Sequence, residues 1–170
     1  LSIRRQRQMC IRDSPEDWPA ERDVLSLRLR QIEADPARAP WLTRTMELRS
    51  ERRVVGVIGF HGPPGGDWLG ELAPGGVEFG YTVYPAWRRR GLAREASEAL
   101  MAWAVRTAGV RTFVLTMSPD NRASVGLARA LGFEKAGSWS HPARGLEHVY
   151  RRDLPSDQPD IGVEPPCIEE

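Results

Sequence analysis

One stretch restricts the fold of this chain more than any other. Residues 77–83 (VEFGYTV) have strand character, Tyr84-Pro85-Ala86-Trp87 marks a turn, and Arg88-Arg89-Arg90-Gly91-Leu92-Ala93 makes a basic, glycine-bearing loop. The loop opens directly onto a helical run from Arg94 to Arg106. That order builds an anion site. The first N–H groups of a helix lack intrahelical acceptors, and the helix dipole adds about half a positive charge there. Gly91 and the small Ala93 let a bulky diphosphate approach the main chain, and three arginines supply forked donors around it.

A chain of 170 residues is long enough for one domain with a sizeable core. Its formal net charge of +1 gives no electrostatic reason to expect nucleic acid or a membrane surface as a partner. No apolar run approaches the ~20 residues that cross a bilayer, and no apolar h-region marks a signal peptide. The two cysteines, Cys10 and Cys167, lie near opposite ends, so a thiol-reduced, cytoplasmic protein is expected and neither is given a role. Residues 1–14 are Arg/Gln-rich without a hydrophobic period, and Gln8 to Ser14 resembles translated adapter sequence. They read as a non-native or disordered leader. That leaves 15–154 as an N-terminally incomplete domain and the Pro- and acid-rich 155–170 as a disordered tail.

Between the ends, periodicity predicts a helix over Asp23–Ala34, then strands over Thr43–Arg49 and Arg53–His61. Gly62 to Gly66 (GPPGG) is a loop, and Val77–Val83 is the strand described above. A long amphipathic helix follows over Arg90–Ala108, stopped by Gly109, and then a strand over Val110–Met117. Asn121–Leu131 is a short helix ended by Gly132, and two last strands, Phe133–Ser138 and Leu146–Leu154, flank the turn-rich Ser140–Gly145. The sum is an α/β (α+β) domain with one mixed sheet and helices packed on it.

Three motifs in order identify a resemblance that spans about Arg44 to Leu154. Arg88-x-x-Gly91-x-Ala93 follows a strand and starts a helix; Asn121-Arg122-Ala123-Ser124 leads through Leu127 to Leu131-Gly132-Phe133; and Glu78-Phe79-Gly80-Tyr81 lies in the preceding strand. Together they resemble the GCN5-related N-acetyltransferases (GNAT), in particular the branch of the bacterial ribosomal-protein N-terminal acetyltransferases. The resemblance implies a mixed, mostly antiparallel central sheet with helices on both faces and one splayed strand pair. It implies acetyl-CoA as co-substrate and an amine acceptor, which is a small molecule or a protein N-terminus. The pyrophosphate is then held by Arg88, Arg89, Arg90, Gly91, Leu92 and Ala93. The backbone of Thr82, Val83 and Tyr84 contacts the pantetheine arm, and Asn121, with Ser124 beside it, meets that arm from across the gap.

Amine attack on a thioester needs a neutral amine, and alkylamines are mostly protonated near neutral pH, so a base is useful. Strand alternation puts Glu78, Gly80 and Thr82 on one face and Val77, Phe79 and Tyr81 on the other. Glu78 is the candidate base, directly or through a water; its bland reading is a salt-bridged strand carboxylate. Tyr81 reads as core before acceptor wall. The family's usual tyrosine acid falls on Ala128 here, which leaves the proton source for the thiolate unassigned. His61 reads first as a surface or core histidine and second as an alternative base, and His61, His141 and His148 show no metal spacing. Trp41, Trp68 and Trp87 shape an acceptor pocket or simply pack. No cysteine lies near the motifs, so direct transfer is expected. A non-catalytic acyl-CoA-binding module and a nucleic-acid binder using the arginine triplet are the rivals, and a homodimer is left open.

Overall fold

A computed structural model describes residues 2–4, 22–65, 69–70, 72–141 and 145–155. Seven strands form one sheet: β1 (Ser2–Arg4), β2 (Arg44–Leu48), β3 (Arg53–Phe60), β4 (Val77–Val83), β5 (Thr112–Met117), β6 (Glu134–His141) and β7 (Gly145–Asp153). Their spatial order is β1-β2-β3-β4-β5-β7-β6. Every neighbouring pair is antiparallel except β4 and β5, which run parallel. This is the mixed, mostly antiparallel sheet expected. Most of the leader lies outside the described residues, but 2–4, set aside in the sequence reading, pair with β2 as an edge strand. Three residues are too few to show a period. The tail beyond 155 also lies outside the described residues.

Helices α1 (Arg22–Ala34), α2 (Leu92–Ala108) and α3 (Arg122–Ala130) cover the sheet. The expected start of α2 at Arg90 shifts to Leu92. Arg89 and Gly91 both take left-handed backbone, with φ of 62° and 77°, which a helix cannot absorb. Gly109, at φ 63°, ends the helix and sends its N–H back to the Ala104 and Val105 carbonyls. The apolar stripe of α2, with Leu92, Ala96, Leu100 and Met101, joins Phe60, Phe79, Phe113 and Phe133 in the main core. Phe79 sits between Phe60 and Phe133, each ring centroid 6.1 Å away in an edge-on contact. α1 sends Arg28 to the His61 carbonyl at 3.2 Å and into range of Glu78, on the face of β4 away from Phe79, so helices flank both faces.

One break in this sheet positions the site. β4 and β5 pair only at Val77↔Phe113 and Glu78↔Val114. Past that point β4 stays with β3 as far as Gly56↔Val83, and β5 stays with β7 as far as Met117↔His148. The two strands therefore diverge, each held by its outer neighbour, and leave a V-shaped gap.

Candidate active site

A cavity of about 720 Å³ occupies the wide end of the gap. Residues 81–83 form one wall, the basic loop and the start of α2 form the floor, and α3 forms the other wall through Asn121, Ser124 and Leu127. The first helical bond of α2 runs from the Glu95 N–H to the Gly91 carbonyl at 3.1 Å. The N–H groups of residues 91–94 precede that ladder, and all four residues line the cavity. A Cβ added at Gly91 would meet nothing within 4 Å, so the approach to these amides is open. A helix start of this kind presents unpaired amides and the positive end of the helix dipole to the cavity.

The arginines divide. Arg88 and Arg89 line the cavity, and Arg88 braces the loop by donating Nε to the Val83 carbonyl at 2.9 Å. Arg90 turns onto Trp87, its guanidinium carbon 4.7 Å from the ring centroid, and donates to the Ala86 carbonyl at 3.3 Å. Arg94, passed over in the sequence, lines the cavity instead and pairs with Glu98 at 2.9 Å.

Main-chain direction also separates the expected strand contacts. The Tyr84 N–H donates to the Val55 carbonyl at 2.9 Å, the Glu78 carbonyl accepts from His61 N–H at 2.9 Å, and the Thr82 carbonyl faces Gly56 on β3. Even-numbered residues of β4 thus spend their main-chain groups on β3. Alternation leaves Tyr81 and Val83 to face the gap. Backbone contacts expected at Thr82 and Tyr84 are corrected on that ground. Thr82 still lines the cavity, whereas Tyr84 is buried, at 2% exposure.

Asn121 caps α3, its side-chain oxygen accepting the Ser124 N–H at 3.1 Å, and still lines the cavity. Ala128 is fully buried in the core, so α3 presents no phenol to the gap. Tyr81 comes nearest to filling that role. It packs against the core as expected, but it also lines this cavity and a second one, and its hydroxyl is buried. Burial pushes the Tyr81 phenol up, while the Ser124 hydroxyl works the other way.

The second cavity, of about 230 Å³, shares Tyr81, Asn121 and Ser124 with the first and adds Gly80, Thr116, Ser118 and Glu147. Here the Glu78 face of β4 comes into play. Glu78 is only 5% exposed, and both its oxygens are engaged. Thr116 on β5 donates its hydroxyl to Oε1 at 2.5 Å, and His61, just past β3, holds Oε2 through Nδ1 at 2.6 Å. The His61 side chain keeps 37% of its surface exposed. The Glu78 face expected from alternation is the one that meets His61 and Thr116, and neither Thr116 nor the buried Glu147 carries a signal in the sequence. Trp87 lines the first cavity; Trp41 packs 5.4 Å from Phe60 and 5.0 Å from Trp103; Trp68 lies outside the described residues.

Among the described residues no group of three or more His, Cys, Asp or Glu converges as a metal site, and no helix is long and apolar enough to cross a membrane. Comparison with known proteins matches the fold. The Acetyltransferase (GNAT) domain profile matches residues 4–134. A GNAT-family acetyltransferase from Bacillus anthracis superposes with a TM-score of 0.55 at 22% identity, covering 65% of each chain. A protein assigned to the GnaT-family acetyltransferases of Bordetella pertussis does so at 0.60 and 25% identity, over 88% of this chain and 84% of that one. RimL, a ribosomal L7/L12 α-N-protein acetyltransferase in complex with coenzyme A, matches at 0.56 and 20% identity, over 68% of this chain and 63% of its own. The chain thus spans less than two thirds of the length of the first and third of these. With a profile match over most of its length, a strand pair that splays at Glu78 and a helix start opening into the gap, this chain belongs to the GNAT acetyltransferase family.

Proposed function

We propose that this protein is an acetyl-CoA-dependent N-acetyltransferase that moves the acetyl group directly onto a primary amine. The observation that carries the reading is the continuity of the gap. The open amides of residues 91–94 lead into the space between the diverging β4 and β5, which ends beside Tyr81 and the Glu78 face. The residues present fit coenzyme A. A diphosphate suits the helix start, with Arg88, Arg89 and Arg94 around it, and Leu92 and Ala93 belong to the same cradle. Arg90, though committed to Trp87, adds positive charge at the rim. The main chain of Tyr81 and the N–H of Val83, whose carbonyl Arg88 takes, face the pantetheine path, with Asn121 and Ser124 opposite.

When bound, acetyl-CoA supplies an acetyl group already activated as a thioester. The chain orients it, removes a proton from the amine on the Glu78 face, and supplies a proton to the departing sulfur. For the last task we assign Tyr81, whose hydroxyl is buried and whose side chain lines both cavities, since α3 carries only Ala128 at the family's tyrosine position. The acceptor is a protein N-terminal amine, as the name of RimL states for that protein, or a small-molecule amine. The setting is cytoplasmic, with action as a monomer or a homodimer.

Titration calorimetry with coenzyme A, followed by thiol-release assays with acetyl-CoA on a panel of primary amines and free-N-terminus peptides, tests the reading. Coenzyme A binding with thiol release is expected. Binding without release on any amine would favour a non-catalytic acyl-CoA module, the reading that the Ala128 position supports. No binding would end both.

A further inference from the structure

The carboxylate expected to act as base is poorly placed to meet an incoming amine. Glu78 is 5% exposed, and each oxygen already accepts a hydrogen bond. His61 is the partner with open surface. From Nδ1 on Glu78 its ring extends along β4 toward the wide end of the gap, and Nε2 lies 3.2 Å from where a Cβ of Gly80 would stand. Gly80 lines the second cavity. The missing side chain at that position is what makes room for the imidazole beside the gap.

We propose that His61 Nε2 is the atom that takes the proton from the acceptor amine, and that Glu78 is its positioning residue. This rests on the acetyl-transfer reading above and assigns the base within it. Glu78 accepts the Nδ1–H, which fixes the tautomer with a free lone pair on Nε2 and stabilises the imidazolium as it forms. Thr116, by occupying the other carboxylate oxygen, stops Glu78 from rotating away. Arg28 on α1 holds the main chain of His61 through its carbonyl and brings a guanidinium charge near Glu78. In the step itself the amine lone pair forms the C–N bond at the acetyl carbonyl. The C–S bond breaks with its electron pair going to sulfur, and the amine proton passes to Nε2. Tyr81 protonates the sulfur, and solvent returns the proton from His61 to the tyrosinate.

A first test does not depend on any acceptor. In protein carrying ¹⁵N-labelled histidine, at a pH where His61 is neutral, its Nδ1 should be protonated with a strongly low-field proton and its Nε2 bare. His61→Gln assigns the signal, and Glu78→Gln should abolish the tautomer preference. An Nε2–H tautomer in the parent overturns the proposal even if acetyl transfer proceeds. The second test uses the amine that turns over best in the thiol-release panel. His61→Ala and His61→Gln should each lower kcat by about 100-fold or more with coenzyme A affinity unchanged, and added imidazole should restore part of the loss in His61→Ala. Glu78→Gln should lose less and gain nothing from imidazole. Full activity in both His61 variants, or a loss in Thr116→Val exceeding theirs, overturns His61 in favour of a route through the Thr116 hydroxyl. An intact coenzyme A titration separates these outcomes from a failure to fold. If no amine turns over, acetyl transfer itself fails, while the tautomer measurement still decides the His61–Glu78 arrangement.

Discussion

At Glu78, β4 is held on both sides, by the His61 N–H and by Val114 on β5, and the next residue, Phe79, packs against Phe60 and Phe133. From Gly80 to Val83 the same strand is paired on one side only and forms the wall of a cavity. Two adjoining halves of one seven-residue strand thus do opposite work. The closed half buries apolar area and fixes position. The open half has no ladder partner on the β5 side, where the Val83 carbonyl accepts from Arg88 instead, and a strand tolerates such a gap only where side chains, a ligand or water satisfy its main chain. The closed half aims the open one: Thr116 and His61 meet Glu78 at the residue where pairing with β5 ends.

Four substitutions would break or sharpen that contrast. Phe79→Ala, in the closed half, removes a ring packed between two others and should cost about 3–5 kcal/mol in urea unfolding. If the loss is instead under 1 kcal/mol, the two halves are not energetically distinct. Gly91→Val, at the floor of the open half, forces a β-branched residue to φ 77°, a strain of about 1–3 kcal/mol. Because nothing in the chain lies near the added Cβ, the further effect should appear as at least about tenfold weaker coenzyme A binding by calorimetry. Unchanged affinity would remove the cradle from the site. Tyr81→Phe keeps the ring and deletes the buried hydroxyl, so kcat should fall about tenfold with stability little altered. The loss is modest because a thiolate leaves tolerably without help. Equal kcat in the parent and variant would return Tyr81 to a packing role.

The smallest effect belongs to the far end of β7, away from the gap. Asp153 accepts from the Thr112 hydroxyl at 2.7 Å and from Arg151 Nε at 2.9 Å. Its slight burial raises the carboxyl pKa, but those bonds and the Arg151 charge outweigh it and leave the pKa below the usual value. A lowered carboxylate pKa contributes stability above the unfolded value of 3.8, and that contribution is lost as pH falls through the folded value. Asp153→Asn should therefore cost at most about 1 kcal/mol at neutral pH, given the exposure of the pair, with the difference from the parent vanishing in acid melts. A larger loss would mean that the outer edge helps hold the gap open.

Much of this was legible because the signals are local. Glycine at 91 and 109 permits the left-handed backbone that both ends of α2 adopt, and a period of two in 77–83 sorts Glu78 from Phe79 without any partner strand. The exact helix start was not legible, because Arg89 adopts a left-handed φ that its residue type does not announce. Which main-chain groups of β4 face the gap was not legible either. That depends on the hydrogen-bond phase with β3, where Tyr84 and Thr82 are committed and Val83 is not.

The sequence alone determined the order strand, basic glycine loop, helix, and with it a family. Those properties follow from neighbours a few residues apart, whose spacing the covalent chain itself sets. Only the tertiary structure decided that Glu78 is withdrawn and His61 exposed. Their meeting spans 17 residues and that of Glu78 with Thr116 spans 38, so both depend on sheet order and register rather than on local spacing. Burial then settles which member of the pair can touch solvent, and burial is a property of the packed whole.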